Sequence, residues 1–273
     1  MTGPAGCALA VSARRWVQKL ASALTLLGGC AAAVANPWPD DPRLSGNAFL
    51  TPGLQALQKD AGSSPVSLFI DQGTALWTDN SKGASCQSCH GPVEGLKQAA
   101  ARFPRLSADG HKLLNLEDQI IACRSRTGRP SGALEDSEVL ALSAVLHLAA
   151  RGQPIDLQPP PDQRERWQAR LGHGAQLFAT RLGRINLACV HCHDQNIGRQ
   201  MRADVISPGN PTGFPIYRMS WQGLGSIDRR LRACYSGVQA QLPPAGDPVL
   251  RDLELYLKVR ANGMAVEGPS IRR

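Results

Sequence analysis

Hydrophobic positions along the chain recur at helical spacing, and no alternating pattern runs long enough to predict a strand. Leu250, Leu253 and Leu257 form one apolar stripe, while Val139, Leu142, Val145, Leu146 and Leu148 make a broader face that predicts a more thoroughly buried helix. Each of these segments begins at an aspartate in N-cap position, Asp136 or Asp247, the second followed by Pro248 at the first turn. Sixteen residues on, each meets a glycine fit to end it, Gly152 or Gly263. Thirteen residues before each aspartate, inside a further helical segment (116–124 and 226–235), stands a lone cysteine, Cys123 or Cys234. Earlier still, a Gly-x-x-Leu-aromatic phrase opens each half, Gly73 to Trp77 and Gly174 to Phe178. Two copies of one helical unit explain the repetition, and the class expected is all-α, an internal duplication.

The proline-dense stretch over 153–163 cannot be helical and predicts an extended linker between the copies. Residues 1–35 carry Arg14, Arg15 and Lys19, then an apolar run from Leu20 to Leu27, then Ala33-Val34-Ala35. That is the pattern of a cleavable export signal, with a run too short to span a membrane. Faint likenesses to a lipoprotein site at Cys30 and to a twin-arginine signal rank below ordinary export. The expected organisation is a signal peptide over 1–35, a first helical domain over 36–152, the linker over 153–163 and a second over 164–273, in a periplasmic protein. Three of the 30 basic residues lie in the signal, leaving 27 against 22 acidic ones. An excess of five gives no case for nucleic-acid binding.

The haem expectation rests on two short motifs, Cys86-Gln87-Ser88-Cys89-His90 and Cys189-Val190-His191-Cys192-His193. Two thiols three apart followed by histidine suit covalent attachment of a c-type haem with the histidine as proximal iron ligand. Two haems follow, held by Cys86, Cys89, Cys189 and Cys192, with His90 and His193 on the irons, and their four propionates nearly cancel the positive excess. No cysteine–histidine set completes a zinc tetrahedron, and His191 reads as a surface side chain. Long loops, 91–111 and 194–226, are expected to pack over the haems.

Candidates for the opposite iron ligand are His111, His147 and Cys123 in the first half, with Lys97 and Lys112 as outsiders. Met201, Met219, Met264 and Cys234 are those of the second. The matched positions of Cys123 and Cys234 favour the cysteines, and a disulfide between them is the alternative. His147 aligns with Lys258 and is expected on a helix surface. Aligning the halves pairs Gln119 with Arg230, Ile121 with Arg232 and Ala149 with Arg260, which predicts a more cationic second site and apolar surroundings for Cys123. Arg230 and Cys234, four apart on a helix, share a face and suggest a pocket for a small oxyanion.

Over Gly73 to Gly263, and most specifically in Cys189–His193, Arg230–Tyr235 and Tyr256–Gly263, the chain resembles the SoxA family of sulfur-oxidation cytochromes, subunits of the L-cysteine S-thiosulfotransferase SoxAX. The resemblance implies that Cys123 ligates the first iron. It implies that Cys234 ligates the second and carries a persulfide as the catalytic group, with Arg230 and Arg260 holding the substrate anion. It also implies oxidative joining of thiosulfate to a cysteine of the carrier SoxYZ, a monohaem partner SoxX, and electron transfer to a downstream cytochrome c. Competing readings are a dihaem thiosulfate dehydrogenase forming tetrathionate, a plain dihaem electron carrier, and, more weakly, a dihaem peroxidase.

Overall fold

The computed structural model describes residues 43–60 and 62–273; the predicted signal over 1–35 lies outside them. Nine α-helices carry the described chain: α1 (Pro52–Lys59), α2 (Val66–Thr78), α3 (Cys86–His90), α4 (Leu116–Arg126), α5 (Ser137–Ala149), α6 (Arg164–Ala179), α7 (Cys189–His193), α8 (Ile227–Gly237) and α9 (Pro248–Arg260). None of them is long and apolar enough to cross a membrane. Short strands accompany them. β1 (Arg105–Leu106) pairs with β2 (Leu113–Leu114), β3 (Gln200–Met201) with β4 (Asp204–Val205), and β5 (Ile216–Arg218) lies between β6 (Gly223–Gly225) and β7 (Ser270–Arg272). The chain is helix-rich, but the all-α class expected from the sequence is corrected by these strands, three of which form one sheet. At two or three residues each they are too short to leave an alternating pattern.

The two halves share local geometry at several matched positions. α2 packs on α5 and α6 on α9, each pair meeting at the glycine of the Gly-x-x-Leu-aromatic phrase. A Cβ on Gly73 would stand 2.2 Å from the Ala141 carbonyl oxygen, and one on Gly174 2.1 Å from that of Asp252. Only glycine allows backbones so close. Ala141 and Asp252 lie five residues past Asp136 and Asp247, the same step into each closing helix. The hairpins obey one register too: Arg105 faces Leu114 and Leu106 faces Leu113, as Ile216 faces Gly225 and Tyr217 faces Leu224. Every one of these partners is displaced by the same 111 residues that separate Cys123 from Cys234.

The caps follow chemistry available in the sequence. Asn115 caps α4 in a reciprocal box with Asp118, its Oδ1 accepting from the Asp118 backbone N–H at 2.8 Å, and the Ser226 hydroxyl accepts from the Arg229 N–H at the head of α8. Asp247 accepts from the Val249 N–H at 2.9 Å, whereas Asp136, though in N-cap position, accepts from the Ala133 N–H at 2.7 Å instead. Gly152 and Gly263 both take positive φ beyond the closing helices, at 83° and 87°.

Residues 43–273 form one compact unit. The core around Trp77, Phe103, Leu142 and Leu146 also takes in Leu255, Ala261 and Val266 from the second half. Residues 153–160 are free of helix, as expected, but 161–163 turn as a short 3-10 helix that a proline at its first position allows, and the stretch is packed: Ile155 and Leu157 are buried, the Ile155 N–H donates to the Met264 carbonyl, and the Asp156 N–H donates to that of Ala101. A buried polar seam also joins the halves. Arg251 donates to Asp118 at 2.7 and 3.1 Å and to Asp228 at 3.0 Å, and Glu254, Lys258, Glu117 and His147 are buried beside it. His147 and Lys258, expected on a helix surface, are therefore interior. Their helices are covered on the side that an isolated domain would expose.

Candidate functional site

α3 and α7 are single turns that place both thiols and the histidine of each motif on one short helix, and Ser85 caps the first by accepting from the Ser88 N–H at 3.1 Å. The first motif opens on a cavity of about 690 Å³ lined by Cys86, Cys89, His90 and, opposite them in the chain's plan, Cys123 of α4. Trp77, Leu96, Phe103, Leu116, Ile120, Leu142 and Leu146 supply apolar walls. Size, apolar lining and a histidine–cysteine donor pair all suit a haem. Of the other candidates, His111 is exposed, His147 bonds the Ser143 carbonyl at 2.9 Å, and neither lines this cavity, nor does Lys112; Lys97 does line it, as an exposed side chain.

Around Cys123 the expectation of apolar, uncharged surroundings fails. Gln119 Nε2 donates to its sulfur at 3.2 Å and Arg126 at 3.0 Å, and Arg102, Arg105, Arg124 and Arg129 also line the cavity. Arg124 and Arg126 lie on α4 itself, past Cys123, and Arg102, Arg105 and Arg129 come from outside it, so pairing the residues before each cysteine could not show the full set. Several are committed elsewhere, Arg124 to Glu138 and Arg129 to Asp79.

The second cavity, about 190 Å³, is lined by His193, Cys234 and Arg230, as the helical spacing predicted for the last two. His193 Nδ1 sits 2.8 Å from the Ser207 carbonyl, so it donates there and leaves Nε2 free to ligate. Its ring lies against Gly209, where a Cβ would come within 3.0 Å of Nδ1. This niche, with a thiolate facing it, fits the donor set of a histidine–cysteine haem. Burial pushes the Cys234 thiol up, but the Arg230 guanidinium, a hydrogen bond to His193 and the charges of His193 and Arg218 outweigh it and bring the thiol down to about 7. Arg230 itself has no ion-pair partner among the described residues. Cys123 and Cys234 are both free thiols, so the alternative of a disulfide between them is not realised. Met201 and Met219 are exposed and Met264 packs on the core; none lines the cavity.

Arg260 is not brought to this cavity. It donates to Asp194 at 2.6 Å and stacks on Phe178, its guanidinium 4.6 Å from the ring centroid. Conversely, Arg218 of β5 and Arg272 of β7 do line the cavity, and the sequence reading missed both. They lie 16 residues before and 38 residues after Cys234, and only strand pairing assembles them.

A family model described as the SoxA/TsdA cytochrome c domain matches residues 72–155. The L-cysteine S-thiosulfotransferase subunit SoxA of Pseudaminobacter salicylatoxidans is 31% identical over 89% of this chain and 85% of its own. The chain belongs to the SoxA family. A second SoxA, from Rhodovulum sulfidophilum, is 29% identical and covers 93% of this chain and 97% of its own length. The crystal structure of SoxXA from P. pantotrophus superposes with a TM-score of 0.78 at 29% identity, covering 85% of this chain and 87% of that one. Membership brings covalently bound c-type haem and thiosulfate oxidation.

Proposed function

We infer that this chain is the substrate-handling subunit of an L-cysteine S-thiosulfotransferase, joining thiosulfate to a cysteine of a carrier protein of the SoxYZ kind. One arrangement carries the reading: Cys234, His193 and the unpaired Arg230 line a single cavity. Thiosulfate and the carrier thiol yield the carrier S-thiosulfonate, one proton and two electrons; an S–S bond forms and the thiol S–H bond breaks. Haem, when bound, supplies the one-electron acceptors for this oxidation. The chain's own groups do the rest. Arg230 binds and orients the dianion by paired N–H donors. Cys234, kept as a thiolate by its cationic neighbours, serves as a persulfide-bearing relay between thiosulfate and carrier sulfur. The Ser207 carbonyl holds the His193 Nδ1 proton and with it the ring's orientation.

We place two haems on the chain, through Cys86, Cys89, His90 and Cys123 at one site and Cys189, Cys192, His193 and Cys234 at the other, where His193 and Cys234 line the smaller cavity and Cys189 and Cys192 stand outside its lining on α7. The shared glycine crossings, hairpin registers and 111-residue offset support descent from one duplicated unit, with domains over 36–152 and 164–273 and the stretch 153–163 between them. Export through residues 1–35, a monohaem partner like the SoxX of the related SoxXA complex, and a downstream cytochrome c complete the reading. Assaying the haem-loaded protein with thiosulfate, SoxYZ and cytochrome c tests it. Thiosulfonate on the carrier cysteine is expected; tetrathionate as the only product, with the carrier unmodified, would favour the dehydrogenase reading.

A further inference from the structure

Between the two haem cavities lies a third, of about 10 Å³, that belongs to neither. Glu117, His147, Glu254 and Lys258 line it, and none of the four lines a haem cavity. Its apolar walls are shared: Phe103 and Leu116 also wall the first haem cavity, and Phe214 and Ile227 the second. Phe103 and Phe214 are 111 residues apart, as are Leu116 and Ile227, and His147 and Lys258, so this cavity stands where the two copies of the unit meet. The copies differ there in charge, for Glu254 occupies the place of Ser143 and Lys258 that of His147. Around the cavity α4 contributes Glu117 and Asp118, α5 His147, α8 Asp228, and α9 Arg251, Glu254 and Lys258; Glu135, ahead of α5, is within electrostatic reach of Glu117. Asp252 of α9 is engaged elsewhere, by Arg170 and His173.

Four carboxylates of the cluster, Glu117, Asp118, Asp228 and Glu254, stand against two cations, Arg251 and Lys258, an excess of two negative charges if all are ionised. Arg251 is taken up by Asp118 and Asp228 and reaches Glu254 only at 3.7 Å. Glu117 accepts from the Ser143 hydroxyl at 2.7 Å and Glu254 from Asn115 Nδ2 at 3.4 Å, both neutral donors. Lys258 is 4% exposed, lines the cavity and reaches no carboxylate at ion-pair distance among the described residues. Uncompensated charge is costly in such an interior, and binding a proton relieves it. Burial pushes the Glu117 and Glu254 carboxyls up and the Lys258 ammonium down; it brings His147 down to about 3, which keeps that imidazole neutral.

We propose that Glu117 and Glu254 form one proton site shared by the two haems, taking up a proton from solvent when an iron is reduced and releasing it when the iron is reoxidised. The proposal rests on the reading of two haems on the chain. One electron enters the iron, one proton converts a carboxylate to a carboxylic acid, and the net charge of the interior is unchanged. Asp118, 23% exposed and bonded to Arg251, carries the edge of the cluster to solvent. A charge held between two haem cavities in a low dielectric acts on both irons. The joint between the copies thereby sets how strongly each iron holds an electron at a given pH.

The test is a spectroelectrochemical titration of the haem-loaded complex from about pH 5 to about pH 9, with haem content measured on the same samples. The unaltered protein, Glu117→Gln, Glu254→Gln and Lys258→Met are compared. In the unaltered protein the potentials of this chain's haems should fall as pH rises and the site loses its proton, by at most tenfold in the reduction equilibrium per pH unit, about 59 mV for one electron. Glutamine keeps the shape but cannot ionise, and the carboxylate left behind is balanced by Lys258. Glu117→Gln and Glu254→Gln should therefore stay near the low-pH potentials throughout. Retention of the parent's slope by either variant, or a parent whose potentials ignore pH, overturns the proposal. If one glutamine variant fails to fold the other decides. If both fail, Lys258→Met decides, because loss of the cation favours the bound proton and should move the fall in potential to higher pH; an unmoved fall is the contrary result. Fewer than two haems on the unaltered chain would sink the parent reading instead, and the haem count shows that apart from any slope.

Discussion

Cys123 and Cys234 occupy equivalent turns of equivalent helices, and the side chains four residues before them set them apart. Gln119 gives Cys123 a neutral donor at that place, although Arg126 also donates to its sulfur from three residues on, while Arg230 gives Cys234 a full charge. Cys123 is assigned an iron-tuning role and Cys234 the covalent step. Replacing Cys123 with methionine should raise the first haem's potential in a redox titration, because a thioether donates less electron density than a thiolate, and leave coupling largely intact. Arg230→Ala should cost roughly 2–5 kcal/mol of transition-state interaction, read as lowered kcat/KM for thiosulfate. An unchanged value would remove Arg230 from the substrate site. Arg230 was legible from the sequence because four residues is one helical turn. Arg218 and Arg272 were not, since no local spacing relates a strand arginine to a cysteine on a helix elsewhere in the chain.

At the scale of elements, the helix crossings are where small changes should tell most. The Gly-x-x-Leu-aromatic phrase was visible as a repeat, yet its reason appears only in the packing, where each glycine meets a backbone carbonyl of the closing helix. Gly174→Ala forces its methyl against the Asp252 carbonyl and the Tyr256 Cβ, and should destabilise by ~1–3 kcal/mol, with a lowered melting temperature. Gly172→Ala, whose Cβ would meet nothing within 4 Å, is the control and should be neutral or slightly stabilising. Equal effects would show that the crossing is looser than the contact implies. Helices, caps and the repeat were thus readable from periodicity. The strands were not, and the burial of His147 and Lys258 depends on contact between halves that no single helix records.

Across the whole molecule, the halves are bound by buried polar groups as well as by a common core. Glu135, from the first half, accepts from the Ser226 hydroxyl at the head of α8 in the second. Burial pushes its carboxyl up to about 7, against the lowering effect of the Ser226 bonds. The folded state therefore binds a proton that the unfolded chain releases near its ordinary pKa of about 4.3. The stability this group adds is fully present below that value and is lost as pH rises through about 7. Glu135→Gln should accordingly show a smaller fall in melting temperature between pH 5 and pH 8 than the unaltered protein; an identical fall would contradict the link. A proline-dense stretch read alone suggests a free spacer, but what covers an extended segment is fixed by its distant neighbours, here Ala101 and Met264.

The central claim is that Cys234 performs the sulfur chemistry, and intact mass of the carrier after incubation with thiosulfate, cytochrome c and haem-loaded Cys234→Met protein tests it most directly. A thioether ligand can keep the iron coordinated but has no transferable sulfur, so the carrier should emerge unmodified while the parent protein adds one thiosulfonate to its cysteine. Carrier modified by the Cys234→Met variant at the parent's rate would contradict the account.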